Sequence, residues 1–327
     1  MVFDNIEFHN VEELEFCEDG YRMWRLPRWV RENINEKAGQ ISSRYATGVE
    51  LRFKMKSDKV TLFLSAEDMT EATVAYIYYG SMQGGWEDST RVIFKQKTAV
   101  EIRKPANMDV LKQVSTERHL PFEPEVVRVV LPYGWIHYHG MEGEVEAPNR
   151  EELPNKTYLA YGSSITHGSL ALGTPYTYPF RVAQKLGCDY MNLGFAGSAH
   201  MEKAMAEYIV SRKDWDFATV EMGVNMLGMD MKLFEKNIDE FTGVLAEDKR
   251  PIFATSIYGF LNPTLQEDAV KKRAIVEKYA KERLMFTNGL EFLDNPAYIS
   301  QDMVHPTLEG IEQIGNKWYE ILRLVVK

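Results

Sequence analysis

The sequence predicts two domains of different class. An antiparallel β-sandwich of jelly-roll-like form is expected over residues 1–150, and an α/β domain on a parallel sheet over 151–327. Three observations carry that division. Short alternating or β-branched runs dominate from about residue 48 to 143, a polar stretch with two prolines follows at Glu144 to Asn155, and strand, loop and helix then succeed one another. A chain of 327 residues also exceeds what one hydrophobic core commonly serves.

The amino-terminal runs are VELRFKM, KVTLFLSAE, TVAYIYYG, RVIFKQ, AVEIRK and VVRVVLPYGWIHYHG. In the first, Val49, Leu51, Phe53 and Met55 alternate with Glu50, Arg52 and Lys54. That is the two-residue period of a strand with one face in a core. Polar, glycine-rich breaks such as GSMQGGWEDS separate the runs, as in an antiparallel sandwich. Tyr21 to Ala46 is mixed in pattern and reads as a lead-in. Glu144 to Asn155 (EVEAPNREELPN) reads as the linker.

Beyond it, TYLAYG, YMNLGF, FATVEMG and IFATSIYG read as strands, each followed by a helical stretch. In the last helix Ile311, Ile314, Trp318, Ile321, Leu322 and Val325 recur mostly every three or four residues and make one apolar stripe. Alternating strands and helices imply a parallel sheet covered on both faces, with its active site at the carboxyl ends of the strands.

Composition narrows the function. With 45% hydrophobic and 26% charged residues the chain has the make-up of a globular protein. A formal charge of -10 argues against nucleic acid or an anionic membrane as partner, since both would repel it. The start lacks a basic region followed by an apolar run, and no apolar stretch of about 18 residues occurs, so a cytoplasmic protein without a membrane span is expected. Cys17 and Cys188 are too few for a disulfide framework or a metal site. Composition leaves a homo-oligomer open.

Four short signals sit on the predicted strand-end loops. Gly162-Ser163-Ser164-Ile165-Thr166-His167-Gly168 follows the first strand, with glycines that allow a tight turn and an exposed serine. Asn192-Leu193-Gly194-Phe195-Ala196-Gly197 and Gly223-Val224-Asn225 end the next two and offer an N–H and a side-chain amide. Acyl transfer needs such donors where negative charge develops. Turn and cap roles would use the same residues. Asp302-Met303-Val304-His305-Pro306 precedes the last helix. A serine hydroxyl needs an imidazole to take its proton, and the imidazole needs a carboxylate to fix its tautomer.

In order and placement the four resemble the SGNH (GDSL-like) hydrolase superfamily, over about residues 155 to 327. The resemblance implies a flavodoxin-like α/β/α fold and an acyl-serine mechanism without cofactor or metal. It places the nucleophile on Ser164, the oxyanion hole on the Ser164 N–H, Gly197 and Asn225, and the orienting aspartate and base on Asp302 and His305. Two positions depart from the family pattern: Ser163 stands where Gly-Asp-Ser has its aspartate, and Met226 follows Asn225 where an aspartate is common. Neither is a nucleophile or an oxyanion donor, so activity is expected to persist. The preceding sandwich, with GSSITHG and FAGSAHME, resembles a branch with acyltransferase-like and carbohydrate-esterase-like members.

Other residues carry paired readings. His167 and His200 adjoin the first two signals and either line the pocket or sit on surface loops. His137 and His139 share one strand face without a carboxylate or thiol at ligand spacing, so no metal is expected. Trp86, Trp135, His137 and Tyr138 would suit a sugar ring, which has an apolar face and hydroxyl edges. Glu221 either supports the site or makes a strand-end salt link. Lys271-Lys272-Arg273 reads as a solvated helix face, and Tyr176, Tyr178 and Phe180 either shape the acyl pocket or, the preferred reading, form the core face of the helix after the nucleophile loop. The expected activity is hydrolysis of short-acyl esters of sugar-like alcohols, with acyl transfer as the rival enzyme reading. A carbohydrate-binding protein with a degenerate hydrolase domain is the rival of another class.

Overall fold

The computed structural model describes residues 1–67 and 71–325. Among these, two antiparallel sheets form the amino-terminal sandwich. One sheet has the order Val2–Phe3, Ile6–His9, Glu50–Met55, Val126–Val130, Ala72–Tyr79, Met82–Gln83, with Val145–Glu146 and Thr90–Phe94 as side members. The other runs Thr98–Arg103, Lys59–Ala66, Ile136–Glu142, Gly20–Trp24, Glu13–Cys17. Leu51, Phe53, Ile77 and Val129 of the first meet Leu62, Leu64, Val100 and Ile136 of the second in a buried core. The alternation therefore does what its period predicts on this face.

The carboxyl-terminal sheet is wholly parallel, in the order Asp189–Gly194, Thr157–Gly162, Phe217–Glu221, Ile252–Thr255, Met285–Thr287. Numbered along the chain this is 2-1-3-4-5, the flavodoxin-like order, whose ligand crevice lies at the carboxyl ends where the winding reverses. Helices Tyr178–Leu186 and Leu308–Leu322 cover one face, and Lys203–Ser211, Met231–Leu245 and Gln266–Arg283 the other. Ile311, Ile314, Trp318 and Leu322 of the predicted stripe are buried on the first of these faces.

Two sequence readings are corrected. The stretch predicted as a linker is anchored: Val145 and Glu146 pair with Met55 and Lys54, and the Lys54 ammonium reaches Glu152 at 2.7 Å. The lead-in is no spacer either. Leu26, Val30 and Ala38 are buried in the core of the parallel-sheet domain. Division by chain position is thus not division in space.

The polar face of Glu50–Met55 is also buried, because the parallel-sheet domain covers it. Arg52 makes two 2.7 Å bonds to the Asp189 carboxylate, at the start of a hydrolase-domain strand, and a 2.8 Å bond to Glu50. Arg128 grips Glu50 at 2.6 and 2.7 Å. Burial alone would raise the Glu50 pKa, but the two guanidinium groups outweigh it and lower it from 4.5 to about 2. Tyr76, Tyr78 and Val130 of the sandwich add apolar contact with Tyr158 and Phe180.

This interface yields a stability prediction. Folding depresses the Glu50 pKa, so the folded state binds fewer protons between pH 4.5 and about 2. The stabilisation is complete above that window and lost as pH falls through it. Glu50→Gln leaves Arg52 its Asp189 partner but deprives the buried Arg128 guanidinium of its carboxylate, and should cost about 3–5 kcal/mol at neutral pH. Urea midpoints followed down through the window should fall more steeply for wild type than for the variant. Equal slopes would contradict this role.

Candidate active site

The site is built from the carboxyl end of the Thr157–Gly162 strand. Gly162 ends that strand, and a Cβ there would fall 2.6 Å from Glu221 Oε2, so only glycine allows the turn. Ser163 caps the one-turn helix Ser164–His167, its hydroxyl accepting from the Ile165 N–H at 3.2 Å. Gly168 closes the helix in the left-handed region at φ 102. Ser164 is thereby the first helical residue, with its N–H unclaimed by the helix.

Glu221 holds this turn from the adjacent strand. Its Oε2 accepts from Ser163 N at 2.8 Å, Ser163 Oγ at 2.7 Å and Thr166 Oγ1 at 3.2 Å. No cation pairs with it among the described residues, so the salt-link reading is replaced by a scaffolding one. Burial pushes its carboxyl up from the ordinary value, against the bonds from Ser163 and Thr166. The serine standing where the family has an aspartate thus meets a carboxyl supplied by the neighbouring strand.

The Asp302–His305 turn faces Ser164. Asp302 Oδ1 accepts the Val304 and His305 N–H groups at 2.9 Å each, and Oδ2 meets His305 Nδ1 at 2.7 Å. His305 Nε2 lies 2.8 Å from Ser164 Oγ. Burial would raise the Asp302 pKa, but the two N–H groups and the imidazole outweigh it and hold the carboxyl well below its usual range. An ionised Asp302 makes Nδ1 the donor, which leaves Nε2 as the acceptor for the serine proton. The turn pays a conformational cost, since Met303 sits at φ 66 without being glycine. Its carbonyl is fixed by the Leu261 and Asn262 N–H groups at 2.8 and 3.1 Å.

Gly197 and Asn225 close the site. The loop after Asp189–Gly194 is tied to the nucleophile turn by Phe195 N donating to Gly162 O at 2.8 Å. Ala199 N donates to Asn225 Oδ1 at 3.0 Å, which fixes the amide through its oxygen and leaves its NH2 group unclaimed by that loop. Among the described residues, the Ser164 and Gly197 N–H groups and Asn225 Nδ2 have no hydrogen-bond partner. Three donors therefore stand free on the strand-end loops that carry the series.

The remaining predicted positions divide. His167 does not line the pocket: it is wholly buried, packed against Tyr45 and Tyr133. Its ring nitrogens face two donors, Ala196 N at 3.2 Å and the Arg25 guanidinium at 3.5 Å. Burial and then Arg25 hold its pKa well below the usual range, so it is a neutral packing group. His200 is half-buried beside the oxyanion loop. Trp135 donates to Ile41 O at 3.3 Å beneath the Arg44 guanidinium, and His137 contacts Glu67 at 2.8 Å. Neither touches Ser164 or His305. Tyr138 is buried in the sandwich core, whereas Trp86 is fully exposed.

Sequence reasoning missed three contributors. Lys272 and Arg273 are buried, not solvated. Lys272 Nζ donates to Met226 O at 2.6 Å and Met229 O at 2.9 Å, gripping the turn that carries Asn225. Arg273 donates to Ile257 O and Tyr258 O at 2.8 Å each. Only Lys271 behaves as read, pairing with Glu267 on the surface. Lys37, from the lead-in, stands against Gly197. No periodicity signals any of them, because their targets are backbone atoms of distant loops. Tyr178 and Phe180 are buried as the core face expected of them.

A serine, an imidazole and a carboxylate bonded in series at the strand ends of an α/β/α domain describe an ester hydrolase. Residues 155–283 match the GDSL-like Lipase/Acylhydrolase family, a stretch that holds Ser164, Gly197 and Asn225. No curated protein sequence matches the chain. Among solved structures, the fold is similar to the salicylyl-acyltransferase SsfX3 of a tetracycline biosynthetic pathway. The TM-score is 0.74 and the identity 16%, over 98% of this chain and 95% of that one. It is also similar to a family two carbohydrate esterase from Clostridium thermocellum, with TM-score 0.59 and 11% identity, over 98% of each chain. An acetyl xylan esterase, Est2A, from Butyrivibrio proteoclasticus gives TM-score 0.54 and 12% identity, over 99% and 96%. At such identities the likeness concerns the fold, and it spans the sandwich as well as the hydrolase domain.

The Glu221 arrangement predicts a graded series. Glu221→Ala should lower kcat by about tenfold or more with little change in KM, because it frees the turn that aims Ser164. Glu221→Gln, which keeps an acceptor, should lose less. Steady-state kinetics on phenyl acetate checks this, and an alanine variant with wild-type kcat would contradict it.

Proposed function

We propose that the protein hydrolyses short-acyl esters, acetyl esters foremost, of sugar-like alcohols through an acyl-serine intermediate. The observation that carries the reading is the unbroken series Asp302–His305–Ser164, at 2.7 and 2.8 Å. Ser164 Oγ attacks the acyl carbon while His305 Nε2 takes its proton. The carbonyl oxygen gathers negative charge among the Ser164 N–H, the Gly197 N–H and the Asn225 NH2 group. Donors preorganised in this way typically contribute about 2.7–4 kcal/mol each to lowering the barrier. The alcohol leaves with the proton from His305, and water repeats the sequence in reverse to release the acid. Asp302 keeps Nδ1 protonated and steadies the imidazolium.

The alcohol class is supported by the whole-length likeness to the carbohydrate esterase and the acetyl xylan esterase. Acyl transfer to an alcohol acceptor uses the same intermediate and differs in excluding water. The likeness to the salicylyl-acyltransferase favours keeping that second reading. Product analysis of acetyl, butyryl and octanoyl esters, with and without an alcohol acceptor, separates the two. Against a degenerate, purely carbohydrate-binding domain stands the intact hydrogen-bonded series.

Ser164→Ala should abolish turnover and fluorophosphonate labelling without lowering the melting temperature. Residual turnover above about a hundredth of wild type would point to another nucleophile. Asp302→Asn should cost about 10⁴-fold in kcat, the scale of the same change in a serine-protease triad, because it reverses the imidazole tautomer. An asparagine variant with near wild-type kcat would remove Asp302 from the mechanism.

A further inference from the structure

We infer that Lys37 sets specificity, by pairing with a carboxylate that the substrate carries close to its scissile ester. The inference rests on the esterase reading above and extends it to the substrate's charge.

Lys37 opens the π-helical turn Lys37–Ile41 of the lead-in. Its ammonium occupies the space over Gly197 that any larger residue's Cβ would need. Gly197, at φ +64, is one of the three positions offering a free donor to the developing oxyanion. The cation therefore stands at the lip of the catalytic centre, on a segment that belongs in sequence to the sandwich half.

Its backbone is held there firmly. Asn35 donates through N and Nδ2 to Glu202 Oε1, at 2.9 and 2.6 Å, and through Nδ2 to Ser198 O at 2.9 Å. Asn35 Oδ1 accepts from Ala38 N at 3.0 Å, and Ser42 Oγ meets Ser198 Oγ at 2.9 Å. The segment is thus stitched to Gly197–Glu202 on both sides of Lys37, while the Lys37 side chain itself is exposed. Among the described residues its ammonium has no hydrogen bond or ion pair. A pre-placed, unspent cation is what a substrate anion requires.

The neighbouring groups fit a singly charged anion. His200 lies beside Lys37 with its Nε2 buried and unpartnered. Burial lowers its pKa, Glu202 opposes and Lys37 adds to the lowering, so the imidazole is a neutral donor, not a second cation. One ammonium and one neutral ring match a carboxylate better than a dianionic phosphate. The three oxyanion donors already serve the carbonyl oxygen, so the ammonium has no necessary part there. The chain's net charge of -10 repels anions at a distance, which makes a local cation the condition for accepting one at this lip.

The test compares wild type, Lys37→Gln and Lys37→Arg on phenyl acetate, on 4-carboxyphenyl acetate (charge on the alcohol) and on monophenyl succinate (charge on the acyl group). In Lys37→Gln the ratio of kcat/KM for one charged ester to that for phenyl acetate should fall about tenfold or more, and Lys37→Arg should restore it. Which ester responds tells the side on which the carboxylate lies. Ratios unchanged for both charged esters would overturn the proposal. Ligand-observed NMR with succinate and 4-hydroxybenzoate, in a Ser164→Ala background, reads binding without turnover. Affinity for one of them should drop about tenfold or more in Lys37→Gln; equal affinity would overturn the proposal. If wild type neither turns over phenyl acetate nor takes fluorophosphonate, yet anion binding depends on Lys37, the esterase reading fails and the anion site stands.

Discussion

A buried guanidinium without a carboxylate partner keeps the two halves of this molecule in register at the catalytic centre. Arg25 leaves the sandwich and donates to Asn192 O at 2.7 Å, Gly194 O at 2.9 Å and Ser42 O at 2.7 Å. Burial lowers its pKa to about 10, which still leaves it charged at neutral pH. A buried charge is costly unless its donors are met, and here backbone carbonyls, two of them on a catalytic strand, meet both terminal nitrogens, while Nε has no partner among the described residues. The Phe195 ring adds a contact 5.0 Å from the guanidinium carbon. Through Gly194 and Phe195 the constraint reaches the oxyanion loop, and through Ala199 it reaches Asn225.

The same economy recurs around the site. Loops that carry catalytic donors have backbone carbonyls left over by their turns, and long cationic side chains from elsewhere satisfy them. Lys272 does this for the Asn225 turn and Arg273 for the loop after Ile252–Thr255. Directly beneath Ser164 burial works against charge: it holds His167 neutral and pushes the Glu221 carboxyl up from its ordinary value. Carboxylates that burial does not push up lie at the rim, where Asp302 faces solvent on one side, and at the domain interface, where Glu50 and Asp189 meet Arg52 and Arg128. The sandwich is accordingly a wall of the catalytic domain as well as its neighbour.

Much of this was legible in the sequence because the chemistry lies on strand ends. Glycines flanking Ser164, the Asp302-x-x-His305 spacing and the period of the last helix each have a local cause, and local causes appear in local patterns. The polar residues of VELRFKM alternate correctly, yet nothing in the run says that Glu50 and Arg52 face a second domain in place of water. Lys272 and Arg273 look solvated beside Glu267 and Asp268, since a helix face reads as polar whether water or backbone carbonyls receive it. His167 stands within the nucleophile motif, but a single turn of helix directs it inward. Lys37 lies in the segment with the least pattern of all, and only the approach to Gly197 gives it meaning.

The claim that the amino-terminal half is part of the catalytic centre is tested most directly by Arg25→Met, assayed by the second-order rate of fluorophosphonate inactivation below the variant's melting temperature. Removing the staple should let the oxyanion loop shift and slow inactivation by about tenfold or more, since misplacement by about an ångström can cost about a hundredfold. A folded variant that reacts at the wild-type rate would show that the hydrolase domain shapes its site alone.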